Sequence, residues 1–232
     1  MAGGGLLVVF GLRLVQINQA IQKLAVRPLN QLQAGLQAMT GRLIAVEETL
    51  VTRFERPNVV YFRTVLERWH SGRNGGRWVK WAEETQTVPT LLDDGSGGVV
   101  EVRLKDVEPN LNQDESARAK GMIFEKPDPR VVAFAERVGK DATGLLGTAR
   151  KMRLREFALE NGESVHVCGP VDFSQAKWPV VEAPQNKTPF RLTDKGRDGL
   201  FKKQLIGGYV VLGIGVVLDV VGVGLTVTYF TG

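Results

Sequence analysis

At 232 residues, with 43% hydrophobic and 24% charged side chains, the chain has room for one domain of ordinary size beside its most apolar stretches. Its formal net charge of +5 is modest, which makes basic charge alone a weak footprint for nucleic acid. Cys168 is the only cysteine and His70 and His166 are the only histidines, so an intrachain disulfide is excluded and so is a four-ligand structural zinc site made without carboxylates.

Residues 2–15 are apolar apart from Arg13. At about 14 residues the stretch is short for a span, where roughly 17 to 25 are usual, and it reads as a short N-terminal membrane helix with Arg13 at the interface. A cleaved signal peptide is disfavoured because the charge follows the apolar residues instead of preceding them. From Ile17, apolar residues at Ile21, Leu24, Leu29, Leu32, Leu36 and Met39 predict an amphipathic helix that Gly41 ends.

Residues 43–51 and 59–69 are rich in β-branched and aromatic side chains and predict strands. SGRNGG at 71–76 is a turn, and 77–84 is the returning strand of a hairpin that carries Trp69, Trp78 and Trp81. A second hairpin is predicted over 88–104 around DDGSGG, with Val100, Val102 and Leu104 on its buried face at period two. Residues 109–126 are polar and read as loop. In 127–139, Asp128 is an N-cap, Pro129 takes the first helical position and Gly139 ends the helix. The pair Asn161-Gly162 predicts a two-residue type I′ turn that sets Ala158 opposite Val165 and Phe157 opposite His166. A short strand at 180–182 follows, and then a basic segment.

The run 205–230, LIGGYVVLGIGVVLDVVGVGLTVTYF, is long enough as a helix to cross a hydrocarbon core of about 30 Å. It is read as transmembrane, with Gly215, Asp219, Gly222 and Thr226 sharing one helical face as a helix–helix contact. Asp219 is the run's only charge. All thirty Lys and Arg lie between Arg13 and Lys203, which by the positive-inside rule puts the middle of the chain in the cytoplasm.

The expected fold class is therefore an α+β membrane protein. Residues 1–27 form a short membrane helix with an amphipathic extension. Residues 28–204 form a mainly antiparallel, β-rich domain with one inserted helix, and 205–230 form a transmembrane helix. The expected location is a prokaryotic cytoplasmic membrane, with the domain on the cytoplasmic side.

Several segments together resemble a known family. GRLIAVEETLVTRFERPNVVYFRTVLER at 41–68, Trp78, VPTLLDDGSGGVVEV at 88–102, REFALENGESVHVCG at 155–169 and PFRLTD at 189–194 are similar, in order and spacing, to the membrane-side domain of the GIDE, or Mulan-type, mitochondrial ubiquitin ligases. The resemblance implies a domain lying beside a membrane between two membrane helices. Ligases of that family also carry a zinc-binding RING, whose two full ligand sets these 232 residues cannot supply. Ligase activity is not implied, and the likeness is to RING-less relatives.

The residues offer little catalytic chemistry. His166 and Cys168 share a strand face, but side chains two apart stand about 7 Å from each other, too far for a nucleophile and its base. GxxxxGK[ST] is absent. The expectation is a non-enzymatic, membrane-anchored interaction module without cofactor or metal. Its partners are membrane lipid and a protein, with a homo-oligomer formed through the last helix, and Trp69, Trp78 and Trp81 supply an interaction or interfacial surface. Nucleic acid is disfavoured. The alternative is a membrane enzyme or transport component that uses Asp219 or the His166 to Cys168 strand.

Overall fold

The computed structural model describes residues 23–72, 75–105, 111, 115–119, 128–142, 150–174, 177–182 and 190–195. After a 3-10 turn at Leu29–Gln31, its strands and one α-helix follow in the order β1 (Gly35–Ala45), β2 (Val59–Gly72), β3 (Gly75–Thr87), β4 (Thr90–Asp93), β5 (Val99–Arg103), β6 (Glu115–Ala119), α1 (Pro129–Arg137), β7 (Met152–Glu160), β8 (Ser164–Asp172), β9 (Val180–Glu182) and β10 (Arg191–Thr193). Strands make up 55% of the described residues.

Five strands close a barrel in the order β1-β4-β5-β9-β8 and back to β1, and β10 adds a sixth strand on β8. Every pairing is antiparallel except β5 with β9. Period-two alternation builds the interior: Met39 and Leu43 of β1, Leu92, Val100, Val102, Val165, Val167, Val171 and Val181 are all buried together. Each such side chain contributes about 1.5 to 3 kcal/mol by leaving water. β1 closes the ring by changing partner, pairing with β8 over 35–42 and with β4 over 42–45. Gly41 sits at that change, where a Cβ would lie 2.7 Å from the Asp93 carbonyl oxygen and 2.9 Å from Leu92 Cγ. The closed ring with one parallel pair is a small Greek-key barrel of the oligonucleotide/oligosaccharide-binding type.

Twice the chain leaves the barrel to build a second sheet, ordered β3-β2-β7-β6 and antiparallel throughout. One face of it is covered by α1. Leu66, Ala117, Met152 and Leu154 pack there against Val131, Phe134 and Ala135. The helix begins as the sequence predicts: the Asp128 carboxylate accepts from Arg130 N at 2.9 Å, Pro129 opens the first turn, and Gly139 takes φ +67° just past the end. Arg137 in its last turn reaches Glu84 of β3 at 3.3 Å, and Glu84 is also held by Arg53 at 2.5 Å.

The α+β membrane architecture is corrected by this mostly-β fold. Among the described residues no helix is long and apolar enough to cross a membrane. α1, with nine residues, spans only about 13 Å against the roughly 30 Å required. The integral-membrane location and cytoplasmic orientation drawn from flanking helices therefore have no element here to carry them. Residues 1–22 and the run 205–230, with Gly215, Asp219, Gly222 and Thr226, lie outside the described residues.

Three local expectations also change. The helix predicted to reach Met39 is replaced from Gly35 onward by β1, because β8 pairs with this backbone over 35–42 and β4 continues the pairing over 42–45, and Gly41 is a mid-strand residue. The loop predicted over 109–126 contains β6, which completes the second sheet. The hairpin across Asn161-Gly162 is not formed. β7 pairs with β2 and β6, and β8 pairs with β1, β9 and β10, so the turn carries the chain from one sheet to the other. Only Gly162 has a positive φ there, whereas a type I′ turn needs two such residues. The turn is fastened to β1 instead: Ala45 N donates to Asn161 Oδ1 at 3.0 Å and Gly162 N donates to the Leu43 carbonyl at 2.7 Å.

Candidate functional site

The sequence-predicted tryptophans divide between the two faces of the second sheet. Trp69 of β2 and Trp78 of β3 are cross-strand partners on the face away from α1, edge to face with ring centroids 5.3 Å apart. A register shift between Leu66 and Glu67 adds one residue to β3, and Trp81 then falls on the other face, packed against the helix cluster and flanked by Arg68 and Arg150. Trp81 belongs to the core edge; Trp69 and Trp78 are half-buried and accessible.

Alternation along β2 and β7 fixes what accompanies the tryptophan pair. On β2 the same face carries Tyr61, Arg63, Val65 and Glu67 before Trp69; on β7 it carries Arg153, Arg155, Phe157 and Leu159, with Lys151 just before the strand. Tyr61 and Leu159 are buried in the barrel core, so this face starts inside the barrel and becomes exposed toward the hairpin end. β7 pairs with β2 as far as Arg68, so the last residues of β2 and the first of β3 form the hairpin end of the second sheet.

The cations of this sheet face, most of them from β7, lie on its aromatic rings. Lys151 Nζ stands 4.3 Å from the Trp69 ring centre and 5.9 Å from that of Trp78, and the Arg153 guanidinium stands 4.5 Å from Trp78. Arg155 and Arg63 both lie over Phe157, at 5.0 and 5.3 Å. Such contacts are worth about 0.5 to 1 kcal/mol each at exposed positions. Glu67 bridges Arg153, which donates to it through Nε, and is 3.8 Å from Arg155 Nε, too far for a hydrogen bond. That Arg155 nitrogen has no hydrogen-bond partner. The sequence signal for this site is the alternation Lys151, Arg153, Arg155, Phe157, which acquires its meaning only from the pairing of β7 with β2 in place of the expected hairpin across Asn161-Gly162.

The His166 and Cys168 positions do not form a reactive pair. Cys168 is fully buried on β8, and desolvation pushes its thiol up to about 11, with the nearby Arg191 charge acting weakly in the opposite direction. At neutral pH it stays protonated and is a poor nucleophile. The Nδ1 of His166 is hydrogen-bonded with the Thr40 hydroxyl. Among the described residues no group of three or more His, Cys, Asp or Glu side chains is placed to hold a metal ion.

Two other surfaces are less suited to binding. An open groove of 480 Å³ lies along the outer side of β1, lined by Arg42, Ile44, Asp93, Asp94 and Ser164 among others. Its carboxylates are engaged locally: Asp94 accepts from Leu29 N and Ser96 N, and Asp93 accepts from Gly95 N. The outer faces of β4 and β5, where barrels of this type commonly bind oligonucleotides, carry Leu91, Glu101 and Arg103. Arg103 is paired to Glu101 and Glu182, and no aromatic platform is present on those two strands.

No family model, no curated protein and no solved structure matches the chain, so the resemblance to the GIDE-type domain, and the ubiquitin-ligase association it brought, have no support there.

Proposed function

We propose that the protein is a non-catalytic interaction module and that the Trp69 and Trp78 face of its second sheet is where a protein partner docks. The observation that carries this reading is the set of cations resting on aromatic rings on the sheet face opposite α1. Aromatic and arginine side chains held in fixed positions are the usual anchors of protein interfaces, because they bring large contact area with little conformational freedom to lose. The barrel core, which takes in Tyr61 and Leu159 of the same sheet face, acts as its rigid support. A catalytic use of the β8 strand is disfavoured by the buried, protonated Cys168.

The test is native purification of the full-length, tagged protein beside two variants, Trp78→Ala and Lys151→Glu. A defined protein should co-purify with the wild type and fall by about tenfold or more with either variant, as expected for central anchors of an interface. Equal recovery with both, at unchanged far-ultraviolet circular dichroism, would refute the assignment of the surface.

A further inference from the structure

We infer that this surface takes an acidic peptide in extended conformation, with carboxylates at alternate residues meeting Lys151, Arg153 and Arg155. The inference rests on the docking surface proposed above and adds the chemistry of its occupant.

Spacing supports it first. The three cations are alternate residues at and along β7, so their side chains leave one face of the sheet at intervals of roughly 6.8 Å. Alternate side chains of an extended peptide repeat at the same interval. A peptide with an acid at every second residue can therefore meet all three cations in a single register.

Charge supports it next. Among the described residues Glu67 is the one carboxylate paired with this row; it takes the hydrogen bond of Arg153 and leaves Arg155 at 3.8 Å. No carboxylate among the described residues forms an ion pair with Lys151. Among the described residues, two of the three cations thus stand against one acid and Lys151 against none. Guanidinium groups suit carboxylates because their planar fork donates two parallel hydrogen bonds.

The rings argue against a single-stranded nucleic acid as the occupant. Bases bind such platforms by stacking on free aromatic faces. Here Lys151 lies over Trp69, Arg153 over Trp78, and Arg155 over Phe157. The rings are already engaged in holding cations, so the surface offers fixed positive charge in place of stacking area.

The test is fluorescence anisotropy with the full chain and three labelled probes: an alternating Glu-Ser peptide of about twelve residues, a block peptide of the same composition, and an oligothymidine of similar length. The alternating peptide should bind about tenfold more tightly than the block peptide. Lys151→Glu, an exposed substitution at a strand end, should weaken it by about tenfold, and Arg155→Lys, which keeps the charge but removes the fork, by a few fold. Equal affinity for the two peptides, no binding of either, or tighter binding of oligothymidine would overturn the inference. If the co-purifying partner is still lost with Lys151→Glu while the acidic peptides fail to bind, the docking surface stands and only its acidic occupant is rejected.

Discussion

Trp69 and Trp78 meet edge to face near the tip of the β2–β3 hairpin, with their ring planes inclined by 72°. The pair is set by a glycine. A Cβ at Gly76 would lie 2.3 Å from the Trp69 ring, so the indole occupies the space a side chain would take. Gly76→Ala should push Trp69 off Trp78 and off Lys151. The expected outcome is a changed near-ultraviolet circular dichroism spectrum with the far-ultraviolet spectrum kept, and a loss of about 0.5 to 1.5 kcal/mol in denaturant unfolding, the worth of an aromatic pair. An unchanged aromatic signal would show that the pair is not held this way.

Asp128 caps α1, and its carboxyl is held below the usual range first by the hydrogen bond from the Arg130 side chain and then by the backbone bond from Arg130, against some desolvation. Asp128→Ala should destabilise the protein by about 1 kcal/mol at neutral pH. Because the folded pKa is the lower one, the cap's contribution is present above the unfolded value near 4 and is lost as pH falls through the folded value. The gap between variant and wild type in thermal melts should therefore close in acid. A gap that is constant with pH would point to lost packing instead.

Gly41 allows β1 to pass from β8 to β4. Since the obstructing atom at 2.7 Å is a backbone oxygen in a paired strand, Gly41→Ala cannot be relieved by a side-chain rotation. A loss of about 1 to 3 kcal/mol is expected in urea unfolding. By contrast, Gly35→Ala meets nothing within 4 Å but forces φ +101° on a non-glycine residue, so any cost there comes from backbone strain.

Cys168 gives an alkaline signature. Burial raises its folded pKa to about 11, above the ordinary value of 9.0 expected when unfolded. Between those two values the unfolded chain loses the proton and the folded chain keeps it, so stability falls as pH rises through that window. The total, two pKa intervals, is about 2 to 3 kcal/mol. Cys168→Ala should flatten the curve of melting temperature against pH from 9 to 11 relative to the wild type. In the folded wild type, a thiol reagent at pH 8 should react only at the rate of unfolding or opening. Rapid stoichiometric labelling would contradict the burial.

Much of the fold is legible where the signal is local. The helix at Pro129 follows from its cap and proline, the long hairpin from SGRNGG between two β-rich runs, and the 88–104 hairpin from DDGSGG and period two. What fails is pairing decided at a distance. Asn161-Gly162 carries the local chemistry of a hairpin, yet Leu154 is drawn to the helix cluster while Val165 and Val167 are drawn to the barrel interior, and burial in two separate cores outweighs the turn. Residues 36–39 fail likewise, since helical spacing there cannot reveal that β8 lies alongside. The same error hid the site: once β7 is placed next to β2 instead of β8, Lys151 and Arg153 fall beside Trp69 and Trp78.

The most direct test of the docking surface is a photo-crosslinking amino acid at Lys80, which is exposed on the Trp78 face, compared with one at Glu136, exposed on α1. Irradiation of cells making the full chain should give a discrete protein adduct from position 80 that disappears with Trp78→Ala, and none of that size from position 136. An adduct formed equally from both positions, or from position 136 alone, would contradict the assignment of the Trp69 and Trp78 face as the working surface.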